Sequence, residues 1–184
     1  MQTISILFLL TLALMLAMKF FVTPKYGRDV EGRFLERLQY IPSQTEVLSS
    51  ATLGRWLADK ANGPAIRGYV FPVLFPFDIV FLFCLGLMLG LASGVLADRL
   101  GFLSNVPVWV WWILPACYMA ADLVEDSVIA VIFKSLITLT EGSFRLLSTL
   151  TAIKLATVTA AIAQVAFLGA LYTLLLLFPA SKPI

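Results

Sequence analysis

VPVWVWWILPACYMAADLVEDSVIAVIF, residues 106–133, is apolar and long enough to cross a bilayer, yet it carries Asp122, Glu125 and Asp126 within about one helical turn. A water-facing helix would solvate these carboxylates, whereas a membrane helix must pair them, protonate them or turn them inward. Composition separates the two. A chain of 184 residues that is 60% hydrophobic and 13% charged lacks the polar residues to cover a water-soluble globule. The chain therefore reads as an integral membrane protein.

Outward from this stretch, two further runs, residues 69–97 and 146–178, exceed the ~20 residues that a spanning helix needs. A shorter run, residues 4–18, continues past Lys19 to Val22. No positive charge precedes it and no small-x-small cleavage site follows, so it reads as a retained anchor and not a signal peptide. The expected fold is all-α: a polytopic membrane protein with a four-transmembrane-helix bundle and a helical first loop. Its parts are an anchor helix (1–22), a cytoplasmic amphipathic helical loop (23–68), a three-helix membrane core (69–178) and a C-terminal tail (179–184).

Within the first loop, Val30, Phe34, Leu35, Leu38 and Ile41 recur at helical spacing. A second helix is expected after Pro42, with Ser43 and Glu46 as a capping box, Leu53, Trp56 and Leu57 as its apolar stripe, and Asn62-Gly63-Pro64 as its stop. Such helices suit either the membrane surface or the underside of the bundle. Lys19, Lys25, Arg28, Arg33, Arg37, Arg55, Lys60 and Arg67 crowd this loop, and Lys134 and Arg145 flank the third. Only Arg99 and Lys182 oppose them, so the positive-inside rule places the first and third loops in the cytoplasm and both termini outside. The aromatic run 108–112 then fits a belt at the outer interface. A bacterial inner membrane is the expected location.

Several functions are excluded by what the chain lacks. It has no histidine, which removes the imidazole zinc site, the common haem ligand and the Ser-His triad. Cys84 and Cys117 form no C-x-x-C pair and are expected as small buried hydrophobes. The formal charge of +2, with its basic residues confined to loops, does not suit nucleic acid. The expected partners are membrane lipids, with a homo-oligomer or a larger membrane complex open. No cofactor or resident metal is assigned.

Gly86, Gly90 and Gly94 recur every four residues and form a groove that lets another helix backbone approach. Ala152, Ala156 and Ala160 repeat that spacing in the last span and are its expected partner.

Measured from the cytoplasmic ends of their spans, Asp78, Asp122, Glu125, Asp126 and Lys154 all fall at depths of roughly 10 to 17 Å. Asp122, Glu125 and Asp126 share a helix face by their three- and four-residue spacing, and Tyr118 lies one turn above Asp122. Ionised groups at a helix centre cost ~2.5–3.5 kcal/mol each, so the third span carries on the order of 8–10 kcal/mol of penalty. Lys154, flanked by Thr151 and Thr157, is the counter-charge, and it can neutralise one acid of four. Clustered acids in a low dielectric hold protons that can be exchanged. Pro76 and Pro115 interrupt helix hydrogen bonding and release the carbonyls of Pro72 and Trp111 for ions or Lys154.

FPFD at residues 75–78, ADLVED at 121–126 and TAIK at 151–154 together resemble a pattern in small four-span bacterial membrane proteins of uncharacterised activity. The likeness covers the last three spans, with Asp126 standing where the pattern has asparagine. It implies that Asp78, Asp122, Glu125, Thr151 and Lys154 form one site, and it implies no chemistry.

Three readings stand. The first is a proton- or cation-linked transport or sensing site built from Asp78, Asp122, Glu125, Asp126, Lys154, Thr151 and Tyr118. The second is a structural or assembly subunit that uses the charges as interhelical polar contacts. The third is a lipid-headgroup enzyme holding Mg²⁺ through Asp78, Asp122 and Asp126. The D-x-x-E-D spacing is too short to diagnose an enzyme and does not match the longer aspartate signature of CDP-alcohol phosphotransferases.

Overall fold

The computed structural model describes residues 2–27, 30 and 49–178, and among these every regular element is helical. The α-helices are α1 (Gln2–Ala17), α2 (Ser50–Ala58), α3 (Gly63–Gly68), α4 (Ile79–Arg99), α5 (Ile113–Phe133) and α6 (Glu141–Leu177). Three helical segments, Gln2–Gly27, Lys60–Arg99 and Glu141–Leu177, are long and apolar enough to cross a membrane. Outward-facing Phe8, Leu9, Phe83, Phe167 and Leu176 are exposed, as hydrocarbon rather than water would favour. The 21 residues of α5 would reach ~31 Å, but its three acids set it apart from the other three segments.

Two segments depart from the expected spans. Helical winding does not stop at residue 22; after α1 it widens into π-type turns over Met18–Gly27, with Pro24 inside. Residues 69–78, expected as the start of a continuous helix, are instead irregular. Phe71 (φ −141°, ψ 109°) and Phe75 (φ −121°, ψ 117°) are extended, and the bonds from each to the following proline are cis. A residue before proline is driven out of the α region by the pyrrolidine ring, so the paired Phe-Pro steps end the helix here and α4 starts only at Ile79. Asp78, with helical φ/ψ of −67° and −40°, is the last residue of the broken segment and the N-cap of α4, and its side chain makes no cap hydrogen bond.

The expected 106–133 span is likewise divided. Val108–Trp112 form a 3-10 segment behind Pro107, and α5 proper begins at Ile113. At its other end Ser135, at φ 55°, allows Leu136 N–H to reach Val131 O at 3.0 Å and Ser135 N–H to reach Ile132 O at 2.9 Å, a Schellman closure. The chain reverses within a few residues and enters α6 through a reciprocal cap. Thr140 N–H donates to Ser143 Oγ and Ser143 N–H to Thr140 Oγ1, at 2.9 and 3.2 Å. α5 and α6 are thereby paired as an antiparallel hairpin.

In the first loop, Phe34–Ile41 and the Ser43–Glu46 cap fall outside the described residues. The following helix is capped at Ser49, whose side chain accepts from Thr52 N–H. It packs under the bundle, with Leu53 and Trp56 buried and Trp56 and Tyr69 tilted against Phe133 at centroid distances of 6.2 and 6.0 Å. This helix ends at Ala58, before the expected Asn62-Gly63-Pro64 stop; a 3-10 turn over Lys60–Asn62 follows, and Gly63 and Pro64 open α3, where the missing N–H of Pro64 is not needed.

The glycine groove faces a different partner from the one expected. A Cβ at Gly90 would lie 2.5 Å from Trp112 Cε3, and one at Gly86 would overlap Met119. The groove therefore seats the start of α5, and Ala152 and Ala156 are exposed. The buried positions of α6 are Leu147, Thr151, Ala161 and Leu168, with Lys154 half-buried on the same seam. These positions advance in steps of three, four and seven, and the alanine repeat lies roughly 120–165° off that line, toward the opposite face.

Candidate functional site

α5, α6 and the N-terminus of α4 meet around a buried charge cluster. Asp122, Glu125 and Asp126 project from one face of α5 and are at most 3% exposed, despite the cost of burying carboxylates. Two of them take the lysine directly. Lys154 Nζ lies 3.0 Å from Asp122 Oδ1 and 2.6 Å from Glu125 Oε2. The seam of α6 also carries Thr151, whose hydroxyl donates to Glu125 Oε1 and is within 3.0 Å of Leu147 O. Tyr118, one turn from Asp122, is buried and lines the same cavity as Asp122.

Asp126 is placed differently. Its Oδ2 is buried and has no hydrogen-bond partner. One carboxylate oxygen from each of Asp78, Asp122 and Asp126 lies within 4.8 Å of the others. Asp78 reaches this point because the Phe-Pro breaks place it at the first turn of α4. A cavity of about 300 Å³ opens beside the cluster, with Asp78, Asp122, Lys154, Tyr118, Thr23 and Tyr69 among its lining residues.

Lys154 reaches both Asp122 and Glu125 with its single charge. The Thr157 hydroxyl bonds back to the carbonyls of Ile153 and Lys154 at 2.7 and 3.1 Å. Cys84 is buried as expected, but Cys117, expected to be buried, is exposed. Thr23 and Tyr69 in the cavity wall were not foreseen, since neither carries a charge or a motif.

A second polar contact lies farther along α6. Gln164 Nε2 donates to Ser93 Oγ at 2.8 Å and to Trp111 O at 3.1 Å. Pro115 leaves the Trp111 carbonyl without its helical donor, and an amide from the neighbouring helix supplies one in place of an ion or Lys154. The signal was there to be joined: Gln164 is the one amide side chain in α6.

Chemically, the cluster can exchange protons, hold a cation or act as an electrostatic clamp between helices. Comparison with known protein families, with curated proteins and with solved structures returns no match for this chain.

Proposed function

We propose that the chain is a four-span protein of a bacterial inner membrane, with α5 as the fourth span, both termini outside and the first and third loops cytoplasmic. In this reading the acid-lysine cluster is a proton- or cation-linked transport or sensing site. Two features support α5 as a span: its acids turn inward while Ile113, Leu123 and Val124 face outward, and its length suits the hydrocarbon core. The observation that carries the functional reading is the gathering of Asp78, Asp122 and Asp126 within 4.8 Å beside a cavity. Among the described residues four acids meet one lysine there, and exchangeable protons or a cation would offset the remaining negative charge.

The test is reconstitution in liposomes with an imposed proton or cation gradient. Wild-type protein is expected to dissipate the gradient faster than empty vesicles, or to show a melting temperature that responds to pH or to a particular cation. Folded Asp126→Asn is expected to lose that response. Flux equal to empty vesicles, together with a melting temperature indifferent to pH and ions, overturns the reading. A second reading, in which the charges serve as interhelical contacts, draws on the direct bridge from Lys154 to Asp122 and Glu125.

A further inference from the structure

We infer that Asp78, Asp122 and Asp126 bind a hard divalent cation between the start of α4 and the middle of α5. The inference rests on the cluster being a cation-linked site and deepens it by naming the ion class. Hard divalent cations take carboxylate and water oxygens, and this site offers oxygen ligands with no imidazole or thiolate among them. Oxygens bound to one Ca²⁺ sit ~2.3–2.6 Å from it, so two of them stand at most ~5 Å apart; for Mg²⁺ the limit is ~4.2 Å. The three carboxylates, with oxygens within 4.8 Å of one another, meet the first limit as they stand. They meet the second after a closure of less than ~1 Å.

An independent observation points to a ligand. Asp126 is 2% exposed, and its Oδ2 has no hydrogen-bond partner, a condition that costs a buried carboxylate several kcal/mol unless something satisfies it. Lys154 places its ammonium on Asp122 Oδ1 and Glu125 Oε2, and its charge reaches Asp126 through space without a hydrogen bond to Asp126 Oδ2. Asp122 can still serve two cations, since a carboxylate has two oxygens and about four acceptor sites. There is also room for the rest of a coordination shell. A cavity of about 300 Å³ borders Asp78 and Asp122, and a water molecule takes up ~30 Å³. Thr23 and Tyr118 in its wall provide hydroxyls for those waters.

The test uses the full chain in detergent micelles, stripped with chelator and then titrated with Mg²⁺, Ca²⁺ or Mn²⁺ against Na⁺ at equal ionic strength. Melting temperature and the Mn²⁺ paramagnetic resonance spectrum are the readouts. A divalent-specific rise in melting temperature is expected, with a Mn²⁺ signal from a bound population. Asp126→Asn is expected to weaken apparent affinity by more than the ~10–100-fold that loss of an outer-shell partner brings, while melting no lower than wild type in chelator. Asp78→Asn provides the same test at the cavity edge if Asp126→Asn does not fold. Wild-type protein unmoved by all three ions, with Mn²⁺ remaining aquated, overturns the inference, as does unchanged affinity in a folded variant. Gradient dissipation or a pH response without divalent binding would remove the metal and leave the cation- or proton-linked site. Divalent binding without flux or pH response would keep the metal and restrict the site to ion binding.

Discussion

α6 meets its neighbours at two polar contacts about three turns apart, one around Lys154 and Thr151 and the other at Gln164, and the two are buried on different terms. Gln164 is neutral and its bonds are matched: one amide supplies the Ser93 hydroxyl and the Trp111 carbonyl that Pro115 had left without a donor. Around Lys154 the charges of the described residues do not match, since one ammonium stands among four acids and Asp126 Oδ2 has no hydrogen-bond partner. A matched neutral contact fixes how helices sit. An unmatched charged one also leaves capacity to bind something, and that difference separates a packing contact from a candidate site.

The largest expected effect comes from breaking the charged contact. Lys154→Met leaves Asp122 and Glu125 buried without their cation and should cost about 3–5 kcal/mol. Adding Asp122→Asn removes one of the stranded charges, and a double-mutant cycle should return a favourable coupling of ~0.5–3 kcal/mol. Equilibrium unfolding in micelles would measure both. Strictly additive losses would mean that the 3.0 Å contact carries no interaction energy.

A smaller loss is expected at the groove beside the neutral contact. The Cβ of Gly90→Ala would enter the Trp112 ring, at a cost of about 1–3 kcal/mol from overpacking. Gly94→Ala would meet nothing nearer than Val108 Cγ2 at 3.7 Å and should be neutral, or stabilising by up to ~1 kcal/mol through helix propensity. Equal effects at the two glycines would show that helix propensity, and not the close approach of Trp112, controls the groove.

The smallest effect belongs to the matched contact itself. Gln164→Leu withdraws the donor from Trp111 O and should cost about 0.6 kcal/mol, with an upper bound near ~1.7 kcal/mol for hydrogen bonds between membrane helices. It should leave any ion or pH response of the cluster intact, read from the same melting curves. A loss as large as that of Lys154→Met would erase the contrast between the two sites.

Much of this was present in the linear chain. Composition together with apolar runs longer than ~20 residues identifies a helical membrane-type protein, because such a run satisfies its backbone groups in lipid by winding into a helix. That Asp122, Glu125 and Asp126 share a face follows from their spacing, which the helical repeat converts directly into direction. Pro76 and Pro115 announced carbonyls without a helical donor. Other features were beyond such reading. Residues 69–78 break at Phe71 and Phe75 where a continuous helix was expected, and the glycine groove holds Trp112 and Met119, not the alanine repeat. In water, the buried face of a helix is marked by its apolar residues; in an apolar solvent nearly every face carries them, so the pattern cannot name the neighbour. Helix existence and local direction were therefore determined by the sequence, while the choice of which faces touch was left to the fit of side-chain shapes and the pairing of a few polar groups in three dimensions.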